Sequence, residues 1–138
     1  MQVCSIILSA GKGSRMSSDI PKPLHSISGK SMLEWVFDAN ISAGIKKSIL
    51  VVPENFDGIR DTSYSFQTVI QTIPLGTGDA VKKASCLLHN FKGIVLICFA
   101  DTPFIKANTI KCLSNKKFLE DCKTLNNPYG SGNAGMKI

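Results

Sequence analysis

Three apolar runs separated by helix-forming stretches constrain this chain most: Val3–Leu8, Ser48–Val52 and Ile94–Phe99. A strand that is apolar along nearly its whole length, rather than at alternate positions, expects burial on both faces of its sheet. That condition is met when parallel strands are covered by helices on either side. The connecting segments supply the helices. From Ser31 to about Ala43, Leu33, Val36, Phe37 and Ile41 recur along one side and Gly44 provides a stop. Ser31 with Glu34 three residues on forms a capping box. A second helix is expected from Asp79 to about Leu88, with Ala80, Ala84, Leu87 and Leu88 inward, and a third from Ala107 to Leu113. Phe66–Ile70 reads as a weaker strand. Right-handed crossovers then wind an α/β, doubly wound, mostly parallel sheet, in which ligands bind beyond the carboxyl ends of the strands.

Length and composition set bounds. The 138 residues are enough for one core, read here as a single nucleotide-binding part of a domain, with an irregular tail over 114–138. No apolar run reaches the ~20 residues of a membrane span. The first strand has no basic region before it and no cleavage site after it. No signal peptide is therefore expected, and cytoplasmic residence is. The five cysteines form no C-x-x-C pair, which argues against a zinc site or a disulfide framework. Net charge is +6, but the lysines fall in scattered pairs such as Lys46-Lys47, Lys82-Lys83 and Lys116-Lys117, without interleaved aromatics. A basic surface around a small anionic ligand explains this better than nucleic-acid binding.

The first strand opens into Leu8-Ser9-Ala10-Gly11-Lys12-Gly13-Ser14-Arg15-Met16, followed by Pro21-Lys22. Glycines and small residues let backbone N–H groups turn toward an anion, and Lys12, Arg15 and Lys22 add cations. Two better-known phosphate loops fail here. The dinucleotide fingerprint needs a sixth-position glycine where Met16 stands, and a Walker loop ending at Gly29-Lys30-Ser31 needs one where Leu24 stands. A second stretch, Gln71 to Gly78, leaves the backbone open around Thr77, while Gln71 offers donor and acceptor to a base edge. Read alone, it also fits a tight turn with Asp79 supporting a helix N-terminus. Asp101 follows the Ile94–Phe99 strand, where an oxygen ligand for Mg²⁺ belongs, though an Asx-turn would also place it there.

Taken in order, Leu-x-Ala-Gly-x-Gly-x-Arg-Met, Pro-Lys-x-Leu-His, Gln-x-x-Pro-Leu-Gly-Thr-Gly and Asp-x-Pro resemble the sugar-phosphate nucleotidyltransferases. In particular they look like the uridyltransferase domain of the bacterial N-acetylglucosamine-1-phosphate uridyltransferases, the GlmU type, from about Val3 to Ile110. The resemblance implies a Rossmann-like fold and uridylyl transfer from UTP to N-acetylglucosamine 1-phosphate. It assigns Arg15 and Lys22 to catalysis on the phosphates. Leu8, Ser9, Ala10, Gly11, Lys12, Gly13, Gln71, Gly76 and Thr77 fall to the nucleotide, and Asp101 to Mg²⁺. UTP and a sugar 1-phosphate are the implied partners, with neither nucleic acid nor membrane, and a homo-oligomer is compatible. His25 and His89 receive no role.

The chain departs from the family where Phe99-Ala100-Asp101 replaces Tyr-Gly-Asp, and Asn127-Pro128-Tyr129-Gly130 arrives early. On this pattern the sugar-binding half and a second metal-binding side chain are expected to be missing from these residues, with no left-handed β-helix domain following. A non-catalytic nucleotide-binding remnant and a molybdopterin guanylyltransferase-like enzyme are the two alternatives.

Overall fold

The computed structural model describes residues 2–11, 18–59 and 63–124. In chain order the elements are β1 (Gln2–Leu8), β2 (Ser26–Ile27), β3 (Lys30–Ser31), α1 (Met32–Ser42), β4 (Lys47–Val52), β5 (Gln67–Ile70), α2 (Thr77–Ala84), β6 (Gly93–Phe99), α3 (Ala107–Leu113) and α4 (Lys116–Thr124). Short 3-10 turns lie at Lys22–Leu24 and Ser85–Leu88. The main sheet runs β5-β4-β1-β6, and all its pairings are parallel. β1 pairs with β4 on one side and β6 on the other. The chain therefore reverses its direction of winding between β1 and β6, which makes the gap beyond their carboxyl ends the topological switch point.

Helices cover both faces, as the apolar runs require. On one face Cys4, Ile6, Leu8, Ala10, Ile49 and Val51 pack with Ala80 and Ala84 of α2. On the other, Ile7, Leu50, Val52 and Cys98 pack with Leu33, Val36 and Phe37 of α1. Ile110 of α3 closes against Ala39 and Ile45. The helix boundaries follow local chemistry. Ser31 accepts from the Glu34 N–H, and Glu34 accepts from the Ser31 N–H at 2.6 Å, so the capping box forms in full. Gly44 takes φ 87° directly after α1, ending the helix.

The structure corrects several expectations. Ile41, grouped by sequence with Leu33, Val36 and Phe37 on one side of α1, is 53% exposed, and the helix expected to reach Leu88 gives way to a 3-10 turn at Ser85. The Ile94–Phe99 run is half-buried, not buried on both faces. Val95, Ile97 and Phe99 are 40%, 47% and 48% exposed. In register with Cys4, Ile6 and Leu8, they lie on the α2 face. There α2 packs over β1, β4 and β5, while β6 is the outermost strand among the described residues. The tail, expected irregular from residue 114, contains α4. The Asn115 side chain accepts from the N–H groups of Lys117 and Phe118, satisfying donors that a helix start leaves open. The Asn127–Gly130 turn lies outside the described residues.

Candidate functional site

Backbone hydrogen bonds carry the sheet past its strand ends and set the site's floor. The Gln71 N–H reaches the Val52 carbonyl at 2.8 Å, the Ser9 N–H reaches Val51 at 2.8 Å, and the Ala100 N–H reaches Leu8 at 3.0 Å. The loops after β5, β1 and β6 are thereby held side by side on one rim. Every candidate site residue among the described ones lies on or against this rim.

Leu8 and Ala10 point into the core, and Ser9 is 4% exposed with its hydroxyl unpartnered. These three can address a ligand mainly through backbone. Gly11 is exposed and its backbone is not left-handed. A Cβ built on it would meet nothing within 4 Å, so the fold itself does not require glycine there. Lys12, Gly13 and Arg15 lie outside the described residues.

Lys22 is delivered by the turn that follows. Pro21 caps a 3-10 turn in which Pro23 is buried, and the Leu24 N–H closes onto the Pro21 carbonyl at 2.8 Å. Two fixed proline φ angles make that turn stiff. The His25 ring bonds the Ile20 carbonyl at 3.1 Å, which braces the same segment. From there the Lys22 ammonium donates to Asp101 Oδ2 at 2.7 Å, with the two side chains 42% and 35% exposed. This pair spans 79 positions in sequence and ties the loop after β1 to the end of β6.

At the opposite side of the rim, Gln71 is 3% exposed. Its Nε2 donates to Asp79 Oδ2 at 2.7 Å and to the Gly76 carbonyl at 3.3 Å. Gly76 caps α2 with φ 105°, a conformation that side chains resist and glycine accepts. Thr77 is the first residue of α2 and is exposed. The sequence places Asp79 only as support for the helix. Its bond to Gln71 goes unseen because pairing across a loop of unknown path leaves no periodic signal. The Lys22–Asp101 pair goes unseen for the same reason.

Asp101 is a half-exposed carboxylate at a strand end, an oxygen donor of the kind a hard divalent cation takes alongside substrate phosphates. Among the described residues no cluster of three or more His, Cys, Asp or Glu could hold a metal alone, so any cation here would complete its coordination from ligand and water. Away from the rim, a groove of about 990 Å³ opens at the amino ends of the strands, lined by Gln2, Lys46, Lys47, His89, Phe91 and Ser114. Lys47 there is engaged with the Leu87 carbonyl at 3.1 Å and the Phe91 ring. None of the candidate site residues lines this groove.

Two buried thiols are perturbed. Burial raises Cys4 above its ordinary 9.0, partly offset by nearby Lys47. Burial likewise raises Cys98, partly offset by a hydrogen bond from Asn40.

The parallel sheet, its switch point and the loops gathered there define a doubly wound α/β fold with its ligand-binding rim beyond the strand ends. The fold matches a nucleotidyl transferase from Methanothermobacter thermautotroptrophicus at TM-score 0.71 and 18% identity, covering 82% of this chain and 56% of that one. It matches the UTP-bound UGPase from Acinetobacter baumannii at TM-score 0.62 and 22% identity, covering 70% and 45%. Residues 5–124 match the model of the MobA-like NTP transferase domain, and the chain belongs to that family. Among curated proteins, it is 45% identical over 117 residues to the bifunctional protein GlmU of Clostridium kluyveri, covering 80% of this chain and 25% of that protein. The chain thus spans about a quarter of the length of the curated relatives it matches. Among the described residues, no helix is long and apolar enough to cross a membrane.

Proposed function

We propose that this chain forms the nucleotide-binding part of a sugar-phosphate nucleotidyltransferase that uses UTP and N-acetylglucosamine 1-phosphate. The observation that carries the reading is the convergence on one rim of the loop after β1, the buried Gln71 and the Lys22–Asp101 pair. The similarity to the GlmU protein supports the choice of substrates.

In this reading the backbone of Leu8–Gly11 lies along the nucleotide, and the open space over Gly11 admits it. Gln71, Gly76 and Thr77 address the base. Lys12, Arg15 and Lys22 neutralise the triphosphate. Asp101 is the residue that would hold Mg²⁺, which supplies charge neutralisation on the phosphates when bound. The chemistry needs little more than placement. A phosphate oxygen of the sugar 1-phosphate, already an anion, attacks the α-phosphorus of UTP in line. The bond from that phosphorus to the bridging oxygen breaks, and pyrophosphate leaves. No general base is required, so positioning and charge neutralisation carry the rate.

Calorimetric titration with UTP and GTP in the presence of Mg²⁺ tests the binding. UTP is expected to bind more tightly. Equal affinity, or a preference for GTP, would return the chain to the guanylyltransferase alternative.

A further inference from the structure

The Gln71–Asp79 contact is a hydrogen bond that the proposed reading does not use. Gln71 carries an amide, which has a donor end and an acceptor end of nearly equal size. Which end faces a ligand decides what the residue can read. Here the choice is forced. The two groups behind the amide are the Asp79 carboxylate, at 2.7 Å, and the Gly76 carbonyl, at 3.3 Å. An ionised carboxylate and a carbonyl can only accept. Turning the amide around would set its oxygen against both. Nε2 therefore faces inward, and both of its hydrogens have acceptors there.

What remains is Oε1. It accepts no hydrogen bond among the described residues, and it is not among the fully buried unpartnered atoms. Gln71 therefore faces a ligand as an acceptor only. Both anchoring acceptors are fixed by α2: Gly76 is its cap and Asp79 stands in its first turn.

We infer that Asp79 is a positioning residue for base selection, fixing Gln71 so that Oε1 accepts from the N3–H of a uracil. The inference rests on the proposed reading that the chain binds UTP. In a uridine nucleotide N1 bears the ribose, so N3–H is the only N–H the base has. An acceptor matched to that position meets a lone pair on cytosine, whose N3 carries no hydrogen. The pair would thus separate two pyrimidines of the same size. Leaving a buried acceptor unpaired, or opposed to another, is the more costly error in such a contact.

The experiment measures binding of UTP, CTP and 3-methyl-UTP to the wild-type chain and to Asp79→Ala, with circular dichroism to confirm the fold. Wild type is expected to favour UTP over both analogues by about tenfold or more, the scale of one unsatisfied buried group. Asp79→Ala removes the shorter of the two anchors, frees the amide to turn, and is expected to bring the UTP to CTP ratio toward one. A purely structural role at the start of α2 would weaken both nucleotides alike and leave the ratio unchanged. A folded Asp79→Ala with the wild-type ratio overturns the inference while leaving the uridine reading intact. Tight binding of 3-methyl-UTP by wild type, with CTP still rejected, also overturns it, and this arm needs no variant. Absence of any UTP preference over CTP in wild type overturns the uridine reading itself, and the inference with it.

Discussion

Replacing Asp101 by Asn separates the fold from the site. The Lys22–Asp101 contact is short, 2.7 Å, and looks strong. Coulomb's law gives about 1.5 kcal/mol for unit charges at that distance in bulk water and ~6 kcal/mol at an effective dielectric of ~20. The side chains are 42% and 35% exposed, so solvent screens the pair and the lower end applies. Exposed ion pairs contribute about 0–1 kcal/mol net. Asp101→Asn is therefore expected to lower Tm by only about 2–6 °C, the shift that ~1 kcal/mol produces in a domain of this size.

Binding should change far more. With the carboxylate gone, Mg²⁺ should no longer strengthen UTP binding. In the absence of Mg²⁺ the variant should bind UTP as well as wild type or better, because Lys22 is released toward the phosphates and one repelling anion is removed. Thermal unfolding by circular dichroism and calorimetry with Mg²⁺ or a chelator read both effects. A fall in Tm beyond ~10 °C would make Asp101 a structural residue. Wild-type Mg²⁺ dependence in the variant would remove it from the metal.

Other outcomes are expected. Arg15→Ala is expected to weaken UTP binding by about 1.5–3 kcal/mol, the worth of a charge-assisted hydrogen bond, and unchanged affinity in a titration would make it a surface cation. Gly93→Ala forces a Cβ against the Gln2 carbonyl and the Phe91 ring, so a destabilisation of about 1–3 kcal/mol is expected in urea unfolding. A thiol reagent should label Cys86, Cys112 and Cys122 quickly and the buried Cys4 and Cys98 slowly. Burial raises both of those thiols, so their contribution to stability is full below pH ~9 and declines as the unfolded thiols ionise above it, by up to ~1.4 kcal/mol per pH unit each. Tm measured from pH 8 to 10 should fall, and the Cys4→Ala/Cys98→Ala double variant should fall less. Pyrophosphate release from UTP and N-acetylglucosamine 1-phosphate is expected at background for this chain alone, since no described residue is assigned to the sugar phosphate. Turnover near ~1–10³ per second would contradict that.

Local chemistry made much of this molecule legible before any coordinates. The Ser31–Glu34 box, the Gly44 stop and the apolar runs of β1 and β4 each depend on near neighbours, and each forms where the sequence puts it. The failures are failures of context. The composition of β6 reads as doubly buried, but burial depends on its place in the sheet, and the outer position leaves Val95, Ile97 and Phe99 open on one face. The start of α4 rests on one Asn115 side chain in a polar stretch with no apolar period to announce it. At the site, residue types could be picked from strand ends and glycine spacing. Their pairings could not, because Lys22 with Asp101 and Gln71 with Asp79 meet only when three loops share one rim.

The central claim is that this rim is a uridine nucleotide site, and saturation of the chain with UTP followed by backbone amide NMR tests it most directly. In the presence of Mg²⁺, shift changes are expected to concentrate at Ser9–Gly11, Lys22, Gln71, Gly76–Thr77 and Asp101, with GTP producing weaker changes at the same concentration. Changes centred on the Lys46–Lys47 and His89–Phe91 groove at the other end of the strands, or no changes at all, would contradict the account.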